Sequence, residues 1–391
     1  MFSALANPSG KTQEKPASFH TDWEDLMRQD RAPAFGRRAR LLACAVAMAA
    51  LALIGQAATA GADVKIVMSD YHIDAVDPGI KLFIREKMQD GNKTFTKDNI
   101  VLFLHGATFP STPDFDLQFK DYSWADRLVK RGYVVYMVDY RNYGFSTREN
   151  AMGQEPKANK PVTRSYLAVR DIGAAVDHIV KKRSVKSVSL IGWSWGAMLG
   201  GYYASLHSDK VTKLVMFAPA YAFTQHTNLG PGSGLQNKRK PFEFNYGVGA
   251  YRFGSEAAND NRWEGEIPVK NKDEYREKAA AHAFSEAALA TDPTSNTRKP
   301  PSLRAPNGVL EDTFQQATGR RMWNASSIYV PTLLIAGEYD TWSFPEDREI
   351  LMRDLSNAPR KESILIKDAT HFVLFEKNRV PFFEAIERFL K

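Results

Sequence analysis

A serine between two glycines is the first feature of this sequence that could do chemistry. The segment 192–196 reads Gly-Trp-Ser-Trp-Gly, with Ser194 at its centre. It directly follows an apolar, strand-like run at 188–191 and directly precedes a helical pattern at 195–206. So tight a turn strains the backbone at the serine and exposes its hydroxyl at the sheet edge, beside the positive end of the helix. Ser194 is therefore predicted to be a nucleophile.

A serine hydroxyl needs a general base, and the sequence has eight histidines from which to choose one. His20 lies in the N-terminal leader, and His178 and His207 lie within or at the ends of predicted helices. His371 stands in a loop after the last predicted strand, at the same edge of the sheet as Ser194. We predict that His371 is the general base.

Two carboxylates could orient this imidazole and hold its tautomer, as the base requires. Glu338 and Asp340 both follow the penultimate predicted strand, at 332–336. We favour Asp340 because it lies farther out on the loop. Glu338 stays the alternative.

The oxyanion formed when the serine attacks a carbonyl needs hydrogen-bond donors, and two backbone N–H groups are in the expected places. One belongs to Trp195, the residue after the nucleophile, and the other to Ala107 in the loop 105–108, which follows the predicted strand at 100–104. His105 begins that loop, and we expect it to shape the loop rather than to act as the base.

Aromatic side chains in or beside these loops predict an apolar acyl or aromatic pocket. The residues assigned to substrate binding are Phe109, Tyr143, Trp193, Tyr221 and Trp342. Several of them could instead be core aromatics of a large domain. Three arginines farther along the chain, Arg252, Arg320 and Arg321, could bind a substrate carboxylate, but we favour a solvated surface for them.

An alternation of strands and helices must position these loops. Apolar, β-type runs alternate with helical patterns from residue 63 onward, and the run at 100–104 is typical of a strand buried on both faces. This order predicts an α/β fold with a mostly parallel central sheet and helices on both faces. The stretch 220–325 breaks the alternation and is predicted to be a cap or lid inserted over the carboxyl edge of the sheet. The hydrolytic core would then comprise 63–219 and 326–391.

Composition narrows the class of protein. The 391 residues are 43% hydrophobic and 25% charged with a single Cys, which is a globular profile without a disulfide framework. The net charge of +7 is spread without a dense basic tract, so no nucleic-acid partner is expected. No metal-site motif or phosphate-binding glycine loop occurs, so neither a metal nor a cofactor is expected. A small-molecule substrate is the expected partner.

The first 62 residues predict an export leader. Residues 1–36 lack a periodic apolar pattern and are expected to be unstructured. Arg-Arg-Ala-Arg at 37–40 precedes an apolar run at 41–55 and small residues at 58–62. The run is shorter than the roughly 20 residues that span a bilayer, so a cleaved signal peptide is predicted, without a stable membrane span after processing. The protein would be periplasmic or secreted, by the Sec or the twin-arginine route.

Residues from about 64 to 391 resemble the α/β-hydrolase fold superfamily, in its serine esterase-like branch. The resemblance is carried by the His-Gly pair at 105–106, the segment 139–146, the turn at Ser194, the Gly-x-x-Asp spacing that ends at Asp340, and the loop of His371. The segment 139–146 is similar to the family's D-x-R-G-x-G-x-S, with Asn142 in place of the usual glycine. A serine at the nucleophile position disfavours the haloalkane dehalogenase and epoxide hydrolase branches.

These residues and the resemblance together predict an exported serine hydrolase. It would cleave a carboxylic ester of a small or medium apolar substrate through an acyl-enzyme. An amidase or aminopeptidase, a lactonase, a hydrolase of C–C bonds in diketone-type compounds and an acyl transferase would use the same apparatus. A non-catalytic ligand-binding module on the same fold is the alternative from another class. The oligomeric state does not follow from the sequence.

Overall fold

The computed structural model describes residues 64–223, 226 and 228–391. The predicted leader and signal peptide at 1–62 lie outside these residues, so export remains a prediction. Within the described ranges, no helix has both the length and the apolar character needed to cross a bilayer.

Strands and helices alternate along most of the described chain. The elements up to residue 217 are β1 (Ile66–Asp74), β2 (Lys81–Gln89), β3 (Ile100–Leu104), α1 (Ser111–Phe115), α2 (Trp124–Lys130), β4 (Val134–Val138), α3 (Ser165–Arg183), β5 (Val188–Trp193), α4 (Trp195–Leu206) and β6 (Val211–Phe217). The segment 218–331 contains β7 (Tyr251–Ser255), α5 (Glu256–Glu266), α6 (Lys278–Ala290), β8 (Ser302–Pro306) and α7 (Gly308–Ala317). The chain ends with β9 (Thr332–Gly337), α8 (Pro345–Asp354), β10 (Lys361–Ile366) and α9 (Arg379–Leu390).

The described residues form an eight-stranded sheet in the order β1-β2-β4-β3-β5-β6-β9-β10. β1 and β2 pair antiparallel, as do β2 and β4, whereas the other neighbours pair in parallel. The predicted α/β fold with a mostly parallel sheet is thereby confirmed. The two opening strands are each nine residues long, and β1 is a mostly exposed edge strand whose polar residues give only a weak apolar signal in the sequence.

Helices cover both faces of the sheet, and β3 shows how. Its residues Ile100, Leu102 and Leu104 pack in one apolar cluster with side chains of α3 and α4. Val101 and Phe103 point the other way and pack with side chains of α2 and α9. Successive side chains of a strand alternate between faces, so a continuous apolar run is what two buried faces require. Burying each large apolar side chain stabilises the fold by roughly 1.5–3 kcal/mol.

The parallel strands bring four loops to one edge of the sheet. Leu104 at the end of β3 pairs with Gly192 near the end of β5, and Gly337 at the end of β9 pairs with Ile366 at the end of β10. The loops that follow these strands therefore lie at the same edge. They are the loops that the sequence singled out as catalytic.

The segment between β6 and β9, residues 218–331, is called the inserted segment below and forms a small substructure of its own. β7 and β8 pair as an antiparallel ribbon, and α5 follows β7 directly. Within this segment α6 contacts α1 of the core and α7 contacts α3. The cap boundaries at 220 and 325 remain a prediction from the sequence.

Candidate active site

Ser194 sits on a strained turn between β5 and α4. Its backbone angles, φ of 58° and ψ of −119°, lie in a region that residues other than glycine rarely adopt. Its N–H donates to the carbonyl of Phe217 at 2.8 Å. The flanking glycines leave room for the turn. A Cβ at Gly196 would overlap the carbonyl oxygen of Leu104, and one at Gly192 would overlap that of Gly196. The sequence motif is thus explained by close approach of backbones.

His371 and Asp340 form a buried pair at the ends of β10 and β9. Nδ1 of His371 lies 3.0 Å from each carboxylate oxygen of Asp340. Oδ1 of Asp340 also accepts the N–H groups of Trp342 at 2.7 Å and Ser343 at 2.9 Å. Burial opposes ionisation of Asp340, but the charge and hydrogen bond of His371 and the two backbone donors outweigh it, so the pKa of Asp340 is lowered. The aspartate is therefore held ionised beside the imidazole.

Glu338, the alternative partner of the imidazole, points elsewhere. It is exposed, and its Oε2 accepts the N–H of Asp368 at 3.1 Å. Asp340 rather than Glu338 consequently holds the ring of His371 in this structure.

Ser194 and His371 border the same small cavity, together with Gly106, Ala107 and Asp114. Among the described residues, no hydrogen bond joins the hydroxyl of Ser194 to the imidazole. Such bonds are commonly long without substrate and shorten when it binds. The two side chains therefore border one cavity, and we expect the hydrogen bond between them to form when substrate binds.

His105 shapes the loop after β3, as the sequence analysis expected. Its Nδ1 lies 2.8 Å from the carbonyl oxygen of Gly106, and its Nε2 accepts the N–H of Tyr140 at 3.2 Å. Burial lowers the pKa of His105 to about 4, so the ring is neutral at physiological pH. Because the Gly106 carbonyl and the Ala107 N–H belong to one peptide group, this bond also fixes the direction of that N–H.

The two N–H groups predicted to hold the oxyanion belong to Ala107 and Trp195. Neither has an acceptor among the described residues. The loop of Ala107 lies against the nucleophile, because a Cβ at Gly106 would stand 3.7 Å from Cβ of Ser194. Both N–H groups are thus placed near the serine, at the start of α4 and in the loop after β3.

Three of the five aromatic residues assigned to substrate binding border cavities at this edge. Phe109 and Trp193 border the small cavity, and Trp342 borders a larger one that also reaches Ser194. Tyr143 and Tyr221 border neither. The hydroxyl of Tyr143 donates to the carbonyl of Ala107 at 2.9 Å, and that of Tyr221 accepts the N–H of Ala325 at 3.1 Å, so both rings lie behind loops that they support.

Asp114 is a site residue that the sequence analysis missed. It lies in the short helix α1, is buried, and borders the small cavity. Its Oδ2 accepts the N–H of Gly106 at 3.1 Å, whereas Oδ1 has no partner among the described residues. Burial raises the pKa of Asp114 well above its usual value. No local pattern distinguished this residue from the other carboxylates of the chain.

A second missed feature ties the loop of His371 to the inserted helix α5. Buried Glu376 accepts the N–H of Thr370 at 3.0 Å and its hydroxyl at 2.6 Å, and it also accepts the indole N–H of Trp263 at 2.9 Å. Trp263 lies on α5, so the inserted segment helps to fix the residue next to the base.

Chemically, the arrangement offers a nucleophile, a base with its orienting carboxylate, and N–H donors for a developing negative charge. In the part of the chain that the structure describes, no three or more His, Cys, Asp or Glu side chains cluster as a metal site would require.

Comparison with known proteins agrees with this geometry. The family described as alpha/beta hydrolase fold matches residues 99–378, which include all four loops of the site. A homoserine O-acetyltransferase of Thermus thermophilus is 25% identical over 149 residues, which are 33% of this chain and 39% of that protein. The serine hydrolase BPHL of Homo sapiens is 30% identical over 159 residues, 38% of this chain and 48% of that protein. The chain thus matches less than half the length of each.

Solved structures are similar over a longer part of the chain. A thermophilic esterase from Thermogutta terrifontis superposes with a TM-score of 0.52 and covers 82% of this chain and 98% of its own, at 17% identity. An identity this low shows a shared fold.

Proposed function

Because the chain belongs to the alpha/beta hydrolase fold family, we propose that it is a serine hydrolase that cleaves carboxylic esters of small or medium-sized substrates. The observation that carries the proposal is the buried His371–Asp340 pair, whose imidazole borders the same cavity as Ser194. The names of two similar proteins, a serine hydrolase and an esterase, support the same reaction class.

In the proposed acylation, Oγ of Ser194 attacks the ester carbonyl carbon while Nε2 of His371 takes the hydroxyl proton. The ionised Asp340 keeps the proton of Nδ1 in place and stabilises the imidazolium that forms. The carbonyl oxygen becomes an oxyanion, which the N–H groups of Ala107 and Trp195 bind. Each such donor is worth about 3 kcal/mol in the transition state.

The tetrahedral intermediate then collapses. The bond to the alcohol oxygen breaks, the imidazolium of His371 returns its proton to that oxygen, and the acyl group stays on Ser194. Water repeats the sequence on the acyl-enzyme and releases the carboxylic acid. Phe109 and Trp193 give the small cavity beside Ser194 an aromatic wall, but its volume of about 10 Å³ leaves room only for a very small group next to the scissile bond.

Acyl transfer is the second candidate function. The observation in its favour is the similarity to a homoserine O-acetyltransferase. An acyl-enzyme can be released by an alcohol as well as by water, so the same residues serve both reactions. Adding an alcohol during turnover and measuring the ester formed would separate the two candidates.

The test of the proposal is Ser194→Ala. We expect purified mature protein to release p-nitrophenol from p-nitrophenyl butanoate and to react with a fluorophosphonate probe. S194A should lose both while keeping the wild-type circular dichroism spectrum. Exposed Ser356 provides the matched control, and S356A should behave as wild type. Undiminished turnover in S194A would overturn the serine mechanism, and a failure of wild type to react with the probe would favour a binding module.

We further propose that the protein is exported. The support is the basic, apolar and small-residue series at 37–62. N-terminal sequencing of protein recovered from the source cell should find a first residue near 61 or 63. An intact residue 1 on the mature protein would overturn export.

A further inference from the structure

The larger cavity at the site is bordered by two positively charged side chains. Its volume is about 390 Å³, which is within the range of small-molecule pockets, and it reaches from Ser194 to the inserted segment. Arg252 and Arg262 both border it, and among the described residues around it there is no aspartate or glutamate. Two cations therefore face one cavity next to the proposed nucleophile.

The guanidinium of Arg252 is held entirely by neutral acceptors. Nη1 donates to the carbonyl of Pro306 at 2.7 Å and to Oδ1 of Asn307 at 3.3 Å. Nη2 donates to the carbonyl of Ala107 at 2.8 Å and to the hydroxyl of Thr108 at 3.0 Å. The expected solvated surface is thus wrong for Arg252, because the side chain turns inward onto the loop of the site.

Other buried arginines of this fold have carboxylates nearby. Arg304 binds Asp292 through Nη2 at 2.7 Å and Nε at 2.9 Å. Arg148 binds backbone carbonyls, yet Asp292 partly offsets the effect of its burial. For Arg252, burial lowers the pKa and the neighbouring Arg262 lowers it further, with only Tyr143 acting in the opposite direction. A cation taken out of water without an anion is costly, so an anion bound nearby would offset part of the cost of burying Arg252.

Arg262 lies on α5 and borders both cavities beside Ser194. It is exposed, stands over the ring of Phe372 at 5.6 Å, and has no ion pair within 4.0 Å among the described residues. Glu266, one turn further along α5, is occupied by the loops of the site instead, since it accepts the N–H of His371 and the hydroxyl of Thr341.

The carboxyl group of Asp114, which borders the small cavity, does not supply the missing charge. Burial raises its pKa well above the usual value, so its uncharged form is favoured. The free side of Arg262 is therefore available to a ligand.

We propose that the substrate ester carries a second, ionised carboxylate in the larger cavity while the scissile carbonyl lies at Ser194. Arg262 would bind this carboxylate directly, and Arg252, whose Nη atoms already donate to neutral groups, would attract it by its charge. The proposal rests on the serine hydrolase function proposed above and narrows its substrate class. Guanidinium groups bind carboxylates through strong, charge-assisted hydrogen bonds. The small cavity beside Phe109 and Trp193 has a volume of only about 10 Å³, so the body of the substrate would lie in the larger cavity, with its carboxylate toward the inserted segment.

Two pairs of esters test the proposal, each comparing a carboxylate with its carboxamide. Mono-4-nitrophenyl adipate and its 5-carbamoylpentanoate counterpart place the group on the acyl side. 4-(Butanoyloxy)butanoate and its amide place it on the alcohol side. Hydrogen bonds to a charged group suggest that kcat/KM for the carboxylate exceeds that for the amide by about tenfold or more in at least one pair.

Variants of Arg262 test its role without disturbing the fold, because this side chain makes no hydrogen bond within the described residues. R262Q should reduce the carboxylate preference toward one, and R262K should retain part of it. R320Q changes another arginine of the inserted segment, one that borders neither cavity and bonds Gln315, and it should keep the wild-type preference. Equal kcat/KM within both pairs in wild type, or an unchanged preference in R262Q, would overturn the proposal.

The outcomes also distinguish a failure of this proposal from a failure of the serine hydrolase function on which it rests. Turnover that depends on Ser194 but ignores the carboxylate would overturn only the proposed substrate class. If none of the four esters were cleaved, the serine hydrolase function would fail instead. Calorimetric titration of S194A with each pair would then decide the present proposal, since tighter binding of the carboxylate supports it and equal binding overturns it.

Discussion

Glu266, the last residue of α5, accepts a hydrogen bond from the backbone N–H of His371, with 2.8 Å between Oε2 and nitrogen. Its Oε1 accepts the hydroxyl proton of Thr341 at 2.8 Å, next to Asp340. One buried carboxylate of the inserted segment therefore holds both the base loop and the acid loop. The inserted segment is therefore part of the scaffold of the candidate site.

This relationship predicts that Glu266→Ala lowers kcat more than it changes KM. Loss of a buried hydrogen bond costs about 1–3 kcal/mol, which corresponds to a roughly tenfold fall in kcat if the loop of His371 shifts. E266Q should retain most of the activity, because its amide oxygen can accept the same N–H. Steady-state kinetics on a neutral ester, with thermal unfolding as the control for stability, measure the effect. Equal kinetics for E266A and wild type would contradict it.

Asp340→Asn should lower kcat by about 10⁴-fold while the fold remains intact. The amide can donate toward Nδ1 of His371 and favours the wrong tautomer of the ring. E338Q is the matched control, since Glu338 is exposed and its carboxylate accepts only the N–H of Asp368 among the contacts described. It should keep activity near wild type. A D340N variant with more than a tenth of the wild-type kcat would show that Asp340 does not orient the base.

Asp114→Asn should raise stability at neutral pH. Burial raises the folded-state pKa of Asp114 above its unfolded value of about 3.9, so the stability contribution of the protonated form is complete below that value and is lost as pH rises. An uncharged isostere removes this loss. The Tm of D114N should therefore exceed that of wild type at pH 7, and the difference should shrink as the pH approaches 4. A lower Tm for D114N at pH 7 would contradict the assignment.

Asn142→Ala should destabilise the fold more than Asn142→Gly. Asn142 has a φ of 70°, so it adopts the left-handed conformation that the usual glycine of this motif would adopt. Its side chain bonds Glu149 at 2.6 and 2.7 Å and the hydroxyl of Thr163 at 2.8 Å. Both variants lose these bonds, at about 1 kcal/mol each, but only alanine adds left-handed strain of roughly 1–2 kcal/mol. Urea unfolding at constant m-value measures the order, which a more stable N142A would contradict.

The fold and the chain order of the candidate catalytic side chains could be predicted from the sequence, because local requirements dictate them. A tight strand-to-helix turn needs the glycines at 192 and 196, and a strand buried on both faces needs an unbroken apolar run such as Ile100–Leu104. Since parallel strands end at one edge, chain order placed the loops of Asp340 and His371 together, whereas the structure distinguished Asp340 from Glu338 as the partner of the imidazole. Each of these features depends on residues that are close together in the sequence, so the sequence is enough to recognise it.

The contacts that hold the site in place could not be predicted, because they join residues that are distant in the chain. Glu266 and His371 are 105 positions apart, and Arg252 and Ala107 are 145 apart. No periodicity or motif marks such pairs, because each depends on how the inserted segment packs on the core. Tertiary packing also decided that Tyr143 supports a loop and that Asp114 is buried. Burial sets the cost of a charge, and burial exists only once the tertiary structure has formed.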